Sequence, residues 1–212
     1  MKTRIFNLII LDESGSMIAI KKEAIDSMNE TIQTIRQTTQ ENEQQEHFVS
    51  LTTFNTKAKI NYECVNVNEV EELTSETYLP DGCTALYDAM GMTLTSLRPK
   101  VSENDKVLVT IITDGMENAS QEYNSESIKT LVDELKSKGW VFAYIGTNHD
   151  VEKAASTVSI ENVMRFHPDA VGCSVMAEKL CRARKRLYSK FAQSSDKDYD
   201  YAAVNRDFFK ED

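Results

Sequence analysis

The sequence predicts an α/β fold. The expected architecture is a doubly wound, mostly parallel central sheet with an antiparallel edge hairpin and helices on both faces, of Rossmann-like type. Three observations carry this expectation. Apolar runs at 4–11 (RIFNLIIL), 107–113 (VLVTIIT) and 140–145 (WVFAYI) are nearly continuous rather than alternating, as in parallel strands covered on both faces. Segments of helical period lie between them. The first two runs each stop at an aspartate, Asp12 and Asp114, where strand ends place functional groups in such sheets.

Each element follows in order. After the first run, the stretch DESGS leads into a pattern of Ile18, Ile25, Met28, Ile32 and Ile35, one face of a helix ending near Thr38. Residues 41–46 are polar and read as a loop. The segments 47–54 and 57–65 join around Asn55-Thr56. In the second, Ala58, Ile60, Tyr62 and Cys64 alternate with polar residues, as expected of an edge hairpin. An acidic stretch, 66–82, ends in the turn signal Pro80-Asp81-Gly82. Leu86, Met90, Leu94 and Leu97 mark a second helix, stopped by Pro99. Ile128, Leu131, Val132 and Leu135 mark a third, with Asn124 or Ser125 as N-cap and Gly139 beyond its end. A short helix at 151–158, a short strand at 163–166 and a long helix marked by Val171, Val175, Leu180 and Leu187 complete the pattern.

Bulk properties bound the function. The 212 residues, at roughly 150 per domain, favour one domain with an extension. The domain is expected over 1–191, with an acidic C-terminal tail over 192–212. That last stretch carries Tyr199, Tyr201, Phe208 and Phe209, so it either hangs free or docks on the body. A formal net charge of -10 argues against general binding of nucleic acid or anionic membrane, since phosphate affinity comes from Lys and Arg. Cys64, Cys83, Cys173 and Cys181 form no CxxC pair and are expected as free, mostly buried thiols. The first apolar run is short and lacks a cleavage signal, and no stretch is long enough to span a membrane. The expectation is a soluble cytoplasmic protein.

Asp12, Ser14, Ser16, Thr84 and Asp114 are the candidate metal residues. Two carboxylates with several hydroxyls suit a hard divalent cation: Mg²⁺, or alternatively Mn²⁺ or Ca²⁺. If their strands are neighbours, Asp12 and Asp114 start about 4.8 Å apart and converge on one ion. Gly15 permits the tight loop between the serines.

These residues resemble the metal-ion-dependent adhesion site (MIDAS) of the von Willebrand factor A (vWA) domain. The likeness follows chain order through LIILDESGSM, DGCTALYDAM and VTIITDGMENAS, and is nearest to the small intracellular bacterial members. The resemblance implies that Ser14 and Ser16 coordinate the ion directly, that Asp12 and Asp114 do so directly or through water, and that Thr84 does so depending on the state of the site. It also implies a protein ligand whose Asp or Glu carboxylate completes the shell, with no small-molecule substrate. Some intracellular members work beside ATPases or in stress responses, so a place in a larger assembly is a further expectation. Glu13 occupies a variable position of the motif.

The rival reading is a metal-dependent phosphohydrolase or phosphotransferase with Asp12 as nucleophile. It lacks phosphate-neutralising Lys or Arg beside the motif and any GxxxxGK[ST] loop, so the expectation is no enzymatic activity. Asp88 is either a support for the site or an ordinary first-turn acid. Glu117 and Asn118 either line a binding rim or face solvent. His47, His149 and His167 are scattered and are assigned no catalysis. Arg182, Arg184, Lys185, Arg186 and Lys190 are expected on a solvated helix face.

Overall fold

A computed structural model describes residues 2–147, 150–193 and 200–210. Six strands form one sheet in the order β3-β2-β1-β4-β5-β6. They are β1 (Thr3–Asp12), β2 (Gln45–Phe54), β3 (Ala58–Asn66), β4 (Lys106–Thr113), β5 (Val141–Gly146) and β6 (Val163–Arg165). All neighbouring pairs are parallel except β2 and β3. Strand order reverses around β1, whose neighbours are β2 and β4.

The helices are α1 (Lys21–Glu41), α2 (Leu86–Leu97), α3 (Ser125–Ser137), α4 (Val151–Thr157), α5 (Ala170–Gln193) and α6 (Tyr201–Asp207). Successive β1 side chains point to opposite faces, which explains the unbroken apolar run. Ile5, Ile9 and Leu11 join a core with Met28, Ile32 and Ile35 of α1 and Leu180 and Leu187 of α5. Phe6, Leu8 and Ile10 join a second core with Met90 and Leu94 of α2 and Ile128 and Val132 of α3. Asn124 caps α3 through a reciprocal capping box, and Gly139 follows it at φ 84°.

Four expectations change. Ile18 is off the α1 core face: Gly15–Ile20 form a 3-10 turn, and Ile18 is 63% exposed. The β3 alternation is broken by register shifts against β2, so Ala58 and Cys64 pack on one core and Tyr62 and Val65 on the other. On α5, Val171 and Val175 are exposed, while Cys173, Met176 and Ala177 are buried. Arg184, expected on a solvated face, is 0% exposed.

The four cysteines are free; Cys173 and Cys181 are buried, whereas Cys83 is exposed. Of the closing stretch, α6 docks on the body. Asn205 bonds the backbone at Trp140 and Phe142, and Phe208 is buried beside Asn162, which accepts its N–H.

Candidate metal centre

β1 and β4 run parallel with Leu11 paired to Ile112, so their last residues emerge side by side. Asp12 sits there fully buried, with both carboxylate oxygens engaged. Oδ1 accepts from the Ser14 N–H at 2.7 Å, and Oδ2 accepts from the Thr113 hydroxyl at 2.5 Å. The first contact curls the loop back on its own strand, as Asp side chains do in tight turns. It leaves the Ser14 and Ser16 hydroxyls 3.1 Å apart. The Ser16 hydroxyl donates to Asp114 Oδ1 at 2.5 Å, joining the first loop to the third.

Thr84 arrives from the second loop. Its N–H donates to Asn118 Oδ1 at 2.8 Å, and the Asn118 N–H returns to the Thr84 carbonyl at 3.0 Å. A Cβ at Gly115 would lie 2.9 Å from Thr84 Oγ1 and 3.6 Å from Asp12 Oδ2. Glycine there is therefore what lets the third loop close over the threonine. The structure brings all five sequence-predicted residues together: Asp12, Ser14 and Thr84 form a buried floor, with Ser16 and Asp114 at the more open rim.

Burial raises both carboxyls above their ordinary range, and at Asp12 the neighbouring Asp114 charge adds to this. Among the described residues no Lys, Arg or His hydrogen-bonds either carboxylate. A pair of like charges partly removed from water, ringed by hydroxyls, fits a hard cation. No three His, Cys, Asp or Glu side chains cluster suitably among the described residues, so any ion here relies on hydroxyl oxygens.

Sequence reasoning missed Tyr78 and gave Thr113 no role. Tyr78, fully buried inside the acidic stretch, donates its hydroxyl to the Asp12 carbonyl. A lone aromatic in a polar loop was the available signal. Glu13 points to that strap, accepting the Leu79 N–H at 2.6 Å. The strap ends at Gly82, whose φ of 73° suits glycine and whose carbonyl accepts the Gly15 N–H at 3.1 Å. Asp88 accepts the N–H groups of Gln121, Glu122 and Tyr123, tying α2 to the loop that follows Asp114. Glu117 accepts from Tyr87, Ala119 and Ser120, so it braces the site instead of lining an open rim. His149 lies outside the described residues.

The model of the von Willebrand factor type A domain matches residues 8–169. The chain belongs to that family. Among solved structures it is similar to the PilB minor pilin from Streptococcus sanguinis (14% identity, TM-score 0.65, covering 92% of this chain and 64% of that one). It is also similar to proximal thread matrix protein 1 from the mussel byssus, described with a zinc-occupied MIDAS motif (16%, TM-score 0.58, 86% and 46%). A third is a von Willebrand factor type A protein from Catenulispora acidiphila (12%, TM-score 0.56, 84% and 42%). The chain thus spans between 42% and 64% of these three, and at such identities the likeness is one of fold. No curated protein matches the chain.

Proposed function

We propose that the chain is a non-enzymatic, divalent-metal-dependent protein-binding module. Asp12, Ser14, Ser16, Thr84 and Asp114 hold Mg²⁺, Mn²⁺ or Ca²⁺, and a partner's Asp or Glu carboxylate completes the shell. The observation that carries this is the convergence of two carboxylates and three hydroxyls from three loops at the carboxyl ends of β1 and β4. The bound ion supplies the positive charge that reverses the local sign and attracts an anionic group. The chain's own residues do the rest. Thr113 and the Ser14 N–H fix the Asp12 carboxylate, Asn118 fixes Thr84, and Tyr78 anchors the backbone beneath.

The non-enzymatic reading rests on the sequence, which has no GxxxxGK[ST] loop and no Lys or Arg beside the motif to hold a transferred phosphoryl group. The free cysteines suit a reducing compartment, and we place the chain in the cytoplasm. No described helix is long and apolar enough to cross a membrane.

The test is Asp114→Ala in affinity capture from native lysate, with Mg²⁺ and with EDTA. Wild type is expected to retain partners in Mg²⁺ alone, and the variant in neither, with an unchanged circular dichroism spectrum. Equal capture by both proteins in both buffers would refute the proposal.

A further inference from the structure

Five large apolar side chains are exposed among the described residues: Ile18 (63%), Leu79 (59%), Met116 (59%), Val171 and Val175. The two valines sit on α5. The other three come from three separate segments, all bordering the candidate metal centre. Ile18 follows Ser16 by two residues, and Met116 follows Asp114 by two. Leu79 is held by its N–H on Glu13, next to Tyr78 with its hydroxyl on the Asp12 carbonyl. An isolated exposed leucine needs no explanation, but here each of three segments that build one polar centre exposes a large apolar side chain beside it. Ile18 also lines a surface groove with Ala19, Ile25, Lys21, Lys22 and Glu23.

We infer that the partner segment at this centre presents a single Asp or Glu carboxylate flanked by large apolar side chains, which seat on Ile18, Leu79 and Met116. This rests on the reading proposed above. Charge decides between this and an acidic run. The ion offers its attraction at one point, whereas the chain as a whole carries a net charge of -10 and repels further carboxylates. Apolar flanks escape that repulsion. They also exclude water from the central contact, which strengthens it electrostatically.

The test is selection of displayed short random peptides on the wild-type protein in Mg²⁺, with elution by EDTA. Each enriched peptide is then titrated against wild type and the triple variant Ile18→Ser/Leu79→Ser/Met116→Ser, and Mg²⁺ affinity is measured calorimetrically on both proteins. All three side chains are exposed, so the variant leaves no cavity. The expected peptides carry one acidic residue beside Leu, Ile, Met or Phe. The variant is expected to keep its Mg²⁺ affinity and lose peptide affinity by about tenfold or more. Enrichment of acidic runs without apolar neighbours, no enrichment, or equal peptide binding by both proteins would overturn the inference while leaving measured Mg²⁺ binding intact. Absence of Mg²⁺ binding by wild type would overturn the underlying site as well.

Discussion

Asp12 and Asp114 are held partly out of water, with hydroxyls and backbone for company. Burial raises both carboxyls, so the sign of their effect is fixed. Without metal, their charged forms oppose folding above the ordinary carboxylate range, and that opposition fades as pH falls. Asp114→Asn removes one of the charges and keeps an acceptor for Ser16. In EDTA at neutral pH the variant is expected to melt at or above the wild-type temperature. Added Mg²⁺ is expected to raise the wild-type melting temperature and leave the variant unmoved, as differential scanning calorimetry would show. Gly115→Ala probes the other side. Its Cβ would press to 2.9 Å from Thr84 Oγ1, so weaker Mg²⁺ binding and a loss of about 1–3 kcal/mol in urea denaturation are expected. The residues of this site were legible because DxSxS, the intervening threonine and TDG stand in order at the ends of apolar runs. Tyr78 was not, because its burial depends on a strap folding back over β1 from far along the chain.

At the scale of elements, hydrogen bonds between loops hold the geometry. Asp88 in the first turn of α2 accepts three successive backbone N–H groups at 2.8–2.9 Å. Asp88→Ala leaves those donors without their carboxylate, so a loss of about 1–3 kcal/mol is expected by denaturant titration, with Asp88→Asn less affected. Protection of the Gln121–Tyr123 amides against hydrogen exchange should fall in parallel. Continuous apolar runs disclosed the parallel strands, and helical spacing disclosed α2 and α3, because each reports burial along one element. What periodicity did not disclose came from contacts between elements. The register shifts of β3 come from its pairing with β2 and carry its side chains between two cores. The buried face of α5 begins with Cys173, Met176 and Ala177 before reaching Leu180 and Leu187, and the first three carry a weaker apolar signal than the exposed Val171 and Val175.

Across the whole molecule, a polar chain crosses the core between the sheet and α5. Arg184 donates to Thr110 at 2.7 Å and to Tyr188 at 3.2 Å, and Tyr188 donates to Asn7 at 2.5 Å. Asn7 lies 3.4 Å from Nδ1 of His47, whose Nε2 is 3.3 Å from Gln45. These contacts suit a neutral imidazole with the proton on Nε2. Burial first, and the Arg184 charge second, lower His47 to about 4. The unfolded chain takes up this proton near pH 6.5 and the folded protein only near 4, so stability falls as pH drops through that window. The loss approaches about 3 kcal/mol, and His47→Gln is expected to flatten this part of the profile in urea titrations across pH. The α6 helix belongs to the same packing, and Phe208→Ala is expected to destabilise by about 2–4 kcal/mol.

The most direct measurement is anomalous diffraction from a crystal soaked in Mn²⁺. The account expects one strong peak within bonding distance of oxygens from Ser14, Ser16 and at least one of Asp12 and Asp114, with an open position toward solvent. A structure in which those side chains point apart with no anomalous density between them would contradict it.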